Sequence, residues 1–283
     1  MAGSAIVLTG AGSGIGRATA QRLLDRGHTV LGAAITADEA QTLRRELPGD
    51  FTPFVVDVRD PASVAAAAGE IERELGGRPL RALLNIAGVI TNGPLVDLEP
   101  DTFANVLAVN VVGVHAMTRA LMPVLRAGDR PRVLNMSSES GARTLPFTGG
   151  YSASKFAVEA LSSAMRMEFA PLGVRVVVVA PGPIETPMAS KIRSDVAVEP
   201  SLDVYREPLR RFLAATEKSF ADGIPLDRVV ETIVGAVEDP APGPRFELHQ
   251  NVVRDVVVLR LLPARVRERI ARRILGLTDA TAS

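Results

Sequence analysis

Short β-branched runs separated by helical segments restrict what this chain can fold into more than any other feature. Ala5-Ile-Val-Leu-Thr9 reads as a buried strand, followed by an amphipathic helix over Gly16–Arg26 and a second strand over Thr29–Ala34. Phe54–Val58, Leu80–Asn85, Arg132–Met136 and Val174–Ala180 supply four more strands, spaced by helices over Pro61–Leu75, residues 101–126 and Ser152–Ala170. Valine runs such as residues 174–180 suit strands covered on both faces. Strand-helix alternation implies crossover connections, and hence a doubly wound parallel sheet in the α/β class with helices on both faces. With 283 residues, 47% of them hydrophobic, and no repeat or linker, a single domain over residues 1–283 is expected.

The alternation weakens after Pro181. Residues 187–222 carry helix-like spacing without a strand and are expected to form an insert over the strand ends, where ligands bind in such sheets. Its apolar residues Met188, Leu202, Val204, Tyr205, Leu209, Phe212 and Leu213 either line a substrate pocket or pack the insert on the body. Residues 252–283 read as a C-terminal extension. There Val266, Ile270 and Ile274 repeat at i, i+4, i+8 among Arg265, Arg267, Arg269, Arg272 and Arg273. Such a basic amphipathic helix either lies on an anionic membrane or packs against the body or a neighbouring subunit.

Composition excludes several functions. Thirty-two basic and 32 acidic side chains cancel, so no field for nucleic acid is expected. There is no cysteine, hence neither disulfide nor thiolate chemistry. The three histidines, His28, His115 and His249, show no metal-binding spacing, and no metal is expected. Apolar residues 5–8 are too few for a secretion signal, and no uninterrupted apolar stretch of about 18 residues suggests a spanning helix. A cytoplasmic protein is expected.

Two constellations carry chemistry. The turn Thr9-Gly-Ala-Gly-Ser-Gly-Ile-Gly16 joins a strand to a helix. Its backbone can approach a pyrophosphate, to which a helix N-terminus offers N–H donors and positive potential. The second is Ser138-(x)12-Tyr151-(x)3-Lys155. A Tyr and a Lys at i and i+4 share one helix face. A free phenol titrates near about 10, and an adjacent ammonium favours the phenolate, bringing it toward acid/base work at neutral pH.

In this order the motifs resemble the short-chain dehydrogenase/reductase family. Besides the glycine turn, Asp57-Val58 ends the third strand, Asn85-Ile-Ala-Gly88 follows the fourth, Asn110 sits in the long helix, and Pro181-Gly-Pro-Ile-Glu-Thr186 follows the sixth strand. Ile86 departs from the family's usual Asn. The resemblance covers roughly residues 5–190 and implies a Rossmann domain with a seven-stranded parallel sheet, binding NAD or NADP and acting on a small-molecule substrate. It implies Tyr151 as general acid/base and Lys155 as the group that lowers its pKa and holds the nicotinamide ribose. Ser138 would orient the substrate oxygen; Ser137 is near, but family spacing favours Ser138. Asn110 would anchor a water that links Lys155 to solvent. Gly10, Ser13, Gly14, Ile15 and Gly16 would cradle the pyrophosphate, Asp57 and Val58 the adenine. Asn85, Ala87, Gly88, Pro181, Gly182 and Ile184 would complete the cofactor site, with Thr186 at the carboxamide. Leu145 and Met188 would join Ser138 and Tyr151 at the substrate. Glu139 and Glu185 either touch a polar substrate or are solvated loop carboxylates.

At the end of the second strand, Ala33-Ala-Ile-Thr36 offers neither the acid of NAD enzymes nor the base of NADP enzymes, Ser13 is uncharged, and Arg17 is the nearest cation. Residues 29–36 resemble the retinol and 17β-hydroxysteroid dehydrogenase branch, which favours NAD and a lipophilic secondary alcohol or ketone. Family members are commonly dimers or tetramers. A dehydratase or epimerase on the same scaffold, or a non-catalytic dinucleotide sensor, are the alternatives.

Overall fold

The structure is a computed structural model that describes residues 4–185, 200–250 and 262–277. Seven strands form one parallel sheet in the order β3-β2-β1-β4-β5-β6-β7. They are β1 (Ala5–Thr9), β2 (Thr29–Ala34), β3 (Phe51–Val55), β4 (Leu80–Asn85), β5 (Arg132–Met136), β6 (Arg175–Pro181) and β7 (Arg245–Leu248). The helices are α1 (Gly14–Asp25), α2 (Ala37–Glu46), α3 (Pro61–Leu75), α4 (Pro100–Leu107), α5 (Gly113–Arg126), α6 (Gly149–Glu168), α7 (Arg206–Ala221), α8 (Leu226–Glu238) and α9 (Ala264–Leu275).

Strand periodicity divides the core in two. Side chains alternate across a strand, so Ile6 and Leu8 of β1 enter one cluster with α1 and α8, while Ala5 and Val7 enter another with α3, α5 and α6. Val177 and Val179 of β6 likewise face the first cluster and Val176 the second. Covered on both faces, such strands read as unbroken apolar runs.

Four local readings shift. β3 lies earlier than expected, because Pro53 is accommodated on a sheet edge, where a missing N–H is harmless. Asp57 and Val58 therefore follow the strand instead of ending it. The helix of residues 101–126 begins at Pro100 and is interrupted by a π-helical turn over Ala108–Val112. By length and composition, residues 100–126 could cross a bilayer; here Met117, Leu121 and Leu125 pack in the core. α6 starts three residues early, which puts Tyr151 in its first turn. β7 and α2 were not legible as periodic segments: β7 is a short edge strand and α2 buries only Leu43.

Candidate active site

The site lies at the carboxyl ends of β1, β4, β5 and β6, where a doubly wound sheet opens a crevice. A cavity of about 400 Å³ is lined there by Gly14, Ile15, Gly88, Ser138, Tyr151, Lys155, Pro181, Gly182 and Ile184. Thr186 and Met188 lie outside the described residues.

The glycine turn fits a close-approaching ligand. Gly10 and Gly14 have φ of +77° and +53°, a region that favours glycine. A Cβ at Gly10 would fall 2.9 Å from the Ala87 nitrogen, and one at Gly16 would fall 2.0 Å from the Gly10 oxygen. Thr9 Oγ1 accepts from the N–H groups of Ile86 and Ala87, both at 3.1 Å, which locks the turn to the end of β4. Ser13 precedes α1 without a side-chain capping bond, and Gly14 and Ile15 of its first turn face the cavity.

Successive turns of α6 present Tyr151 and Lys155. Lys155 Nζ stands 5.6 Å from the phenol ring centroid and donates to the Met136 carbonyl at 2.9 Å. Ser138, just beyond β5, accepts from the Ser140 N–H through Oγ and hydrogen-bonds the Tyr151 phenol. Ser137 Oγ is buried without a partner among the described residues. The pKa values depart from the expectation that Lys155 draws the phenol downward. Burial pushes Tyr151 up to about 12, against the Ser138 hydrogen bond and with help from the Glu139 charge. Burial likewise pushes Lys155 down to about 8, against the pull of Glu159. Apolar walls disfavour both charged forms, and in the protein's own surroundings that penalty outweighs their attraction.

Asn110 sits on the π-helical turn, a feature that often marks functional sites. Its Oδ1 accepts from Val89 N–H at 2.8 Å; its Nδ2 donates to Val89 O and Ser154 Oγ, both at 2.9 Å. It thereby ties the strand-4 loop to α6 beside Lys155. Asn85, expected among the cofactor contacts, instead turns inward: its Nδ2 donates to Thr118 and Asn135. Asp57 holds Arg59 (2.7 Å), whose hydrogen bond lowers the carboxyl pKa, and Val58 packs on Gly113.

The apolar residues of the insert divide between the cavity, the packing and the surface. Phe212 lines the cavity, while Leu209 joins Phe147, Phe212 and Leu275 in a small core. Leu202 and Val204 are exposed. α9 packs on α7, with Ala271, Ile274 and Leu275 at the cavity. Its buried residue is Leu275, one position on from the expected Val266–Ile270–Ile274 stripe, which leaves Ile270 41% and Ile274 66% exposed.

Sequence reasoning passed over Glu39. It caps α2: Thr36 Oγ1 accepts from the Glu39 N–H, and Glu39 Oε2 accepts from Ile35 N–H at 2.7 Å. The signal was Thr36-x-x-Glu39, a capping-box spacing. Its Oε1 lies against the glycine turn, where a Cβ on Gly12 would fall 1.8 Å away. Arg17 is paired with Glu46 at 2.7 Å. Of the two flanking acids, Glu185 is exposed and Glu139 lines the cavity.

The family model for short chain dehydrogenases matches residues 4–197. Human short-chain dehydrogenase/reductase family 9C member 7 is 38% identical over 187 residues, 66% of this chain and 59% of that protein. Human 17-beta-hydroxysteroid dehydrogenase type 6 is 36% identical over 190 residues, 67% of this chain and 59% of the relative. The chain thus spans about three fifths of the length of these two relatives. NADPH-dependent 3-dehydrocapnine reductase from Ornithobacterium rhinotracheale is 30% identical over 268 residues, 93% of this chain and 94% of that protein. Among solved structures, a short-chain dehydrogenase from Streptomyces avermitilis superposes with TM-score 0.77 at 23% identity, covering 99% of both chains. A 3-ketoacyl-(acyl-carrier-protein) reductase from Brucella melitensis, complexed with NADH, gives 0.74 at 24% identity over 90% of this chain and 99% of its own. With the site's motifs in order on a seven-stranded parallel sheet, the chain belongs to the short-chain dehydrogenase/reductase family, in the branch of the retinol and 17β-hydroxysteroid dehydrogenases.

Proposed function

We propose that the protein is an NAD(P)-dependent oxidoreductase that interconverts a lipophilic secondary alcohol and its carbonyl compound. The observation that carries this reading is the Tyr151 phenol, hydrogen-bonded to Ser138 and beside Lys155, in one cavity with the glycine turn. The bound nicotinamide would supply or accept the hydride, and the residues present suit a dinucleotide: a glycine-rich turn and an uncapped helix start at Gly14 and Ile15. Tyr151 transfers the proton at the substrate oxygen. Ser138 orients that oxygen. Lys155 carries positive charge beside the phenol below about pH 8. Asn110 acts as a positioning residue through Val89 and Ser154.

Glu39 supports NAD over NADP. A carboxylate at the end of β2 suits a ribose hydroxyl and repels a phosphate, and Arg17 is engaged by Glu46. The apolar side chains of Leu145 and Phe212 at the cavity support a lipophilic substrate. The packing of Leu275 supports a pocket-covering role for the tail over a membrane one. A cytoplasmic homodimer or homotetramer completes the reading.

Tyr151→Phe tests it. Loss of general acid/base catalysis is expected to lower turnover by about 10²–10⁴-fold, with NADH binding by fluorescence titration retained. Full activity in a folded variant would overturn the mechanism. Turnover without net change in the cofactor's redox state would favour a dehydratase or epimerase, and cofactor binding without turnover a sensor.

A further inference from the structure

Phe147 holds a backbone conformation that its side chain resists. Its φ is +69°, in the left-handed region. A Cβ makes that region costly, most of all for a bulky residue, whereas glycine enters it freely. Such outliers persist where the surroundings over-determine them, and they gather at functional sites. Phe147 stands four residues before Tyr151, between Ser138 and the start of α6.

Two sets of contacts fix it. The backbone is held from the β4 side, where the Gly93 N–H donates to the Phe147 carbonyl at 2.8 Å. Thr148, the next residue, donates through Oγ1 to the Leu145 carbonyl at 2.8 Å, and its own carbonyl accepts from the Ser152 N–H at 2.8 Å. The ring is held from the cover. It is 6% exposed, meets Tyr205 edge-on with 6.2 Å between centroids, and lies 5.6 Å from Phe212. With Leu209 and Phe212 of α7 and Leu275 of α9 it forms the small separate core.

These contacts join the substrate wall to the acid/base group. Phe212 and Leu275 line the cavity, and Phe147 backs them in that core. Filling a small core does not by itself call for a left-handed φ. The strained backbone lets one residue put its ring into the cover and its carbonyl on the loop after β4, at the entrance to the turn that carries Tyr151.

We propose that Phe147 is a positioning residue: it couples the apolar cover of α7 and α9 to Tyr151, so that a substrate tail seated on Phe212 brings the phenol into line for proton transfer. Binding energy from a remote part of the substrate then appears in kcat as well as KM, because small misplacements at the reacting centre are costly in rate. This assignment rests on the redox reading above.

The test uses the full chain saturated with NAD⁺ and two probes, sec-butanol and sec-octanol, which share the reacting group and differ in the tail. Turnover is followed by NADH absorbance. Wild type is expected to turn over sec-octanol with a kcat about tenfold or more above that for sec-butanol. In Phe147→Ala that ratio is expected to fall to near one with NADH binding retained. Phe147→Gly, which takes the φ without strain, should behave like Phe147→Ala, and Phe147→Leu, which refills the core, should recover part of the ratio. A wild-type ratio near one, a comparison that needs no variant, would overturn the inference. So would a raised KM for sec-octanol in Phe147→Ala with the kcat ratio intact, or a wild-type kcat in Phe147→Gly.

A second readout needs no turnover. The chain has no Trp, and its two Tyr are Tyr151 and Tyr205. Tyr205→Phe keeps a ring against Phe147 and leaves the ultraviolet emission to Tyr151. The anisotropy of that emission is expected to rise more with sec-octanol than with sec-butanol, and the difference to vanish when Phe147→Ala is added. An undiminished difference, or none to begin with, would overturn the inference. The expected difference without turnover of either probe would overturn the redox reading alone.

Discussion

At the scale of single residues the environment of Tyr151 decides the most. Its phenol stays neutral to about pH 12 in its own surroundings. A neutral phenol is the proton donor needed for carbonyl reduction, whereas alcohol oxidation needs the phenolate. Because burial raises the phenol's pKa, kcat/KM for oxidation is expected to climb with pH through neutrality and above, while reduction stays flat over the same range. Parallel pH profiles in the two directions check this. Removing the Glu139 charge removes one cause of the raised pKa, so Glu139→Gln should move the oxidative limb to lower pH; an unmoved limb would show that the carboxylate does not act on the phenol. At the adenosine end, Glu39→Ala is expected to weaken NADH binding and relieve repulsion of NADPH, narrowing the ratio of their Kd values by about tenfold, roughly one charge-assisted hydrogen bond. Parallel fluorescence titrations read that ratio. The Ser138, Tyr151 and Lys155 spacing was legible in the sequence because it is local, within one loop and one helix. Glu39 was not, and Glu139 stayed between two readings, because what each carboxylate touches comes from another segment: Gly12 for one, Gly182 and His249 for the other.

At the scale of elements, each part of the site is held by a specific contact. Gly16 packs the first turn of α1 against the Gly10 carbonyl, a backbone atom that cannot swing aside. Gly16→Ala is expected to destabilise the fold by about 1–3 kcal/mol through overpacking and to abolish NADH binding; urea unfolding and the same titration measure both. The π-helical turn depends on Asn110, whose three side-chain hydrogen bonds bring Val89 and Ser154 together. Periodicity read residues 101–126 as one helix and hid that turn, since one extra residue in the turn leaves the apolar stripe on either side nearly continuous. The α9 helix was legible as amphipathic, but its orientation was not. Several faces of a short arginine-rich helix resemble one another in sequence, and packing on α7 chose the face with Leu275.

For the whole molecule, stability resides in the doubly covered sheet and the candidate site at the carboxyl ends of its strands. Ile6 is fully buried in the face shared with α1 and α8, so Ile6→Ala should cost about 2–5 kcal/mol in global unfolding, the range for truncating a buried aliphatic side chain. The cover formed by α7 and α9 contributes to a smaller separate core of Phe147, Leu209, Phe212 and Leu275. Truncation before Ala264 is therefore expected to raise KM for a lipophilic substrate while leaving the melting temperature of the sheet nearly unchanged, as circular dichroism would report.

The sequence by itself determined the parallel sheet, its strand-helix alternation, the glycine turn and the acid/base constellation. Each of these is written in local periodicity or short spacing, and two-sided burial of parallel strands leaves an unmistakable apolar run. Only the tertiary structure decided where the edges of the sheet lie, how the tail packs at the cavity, and which carboxylates lie at the cavity and the glycine turn. Those outcomes depend on distant segments meeting, and desolvation, which raises the Tyr151 pKa, arises only once they have met.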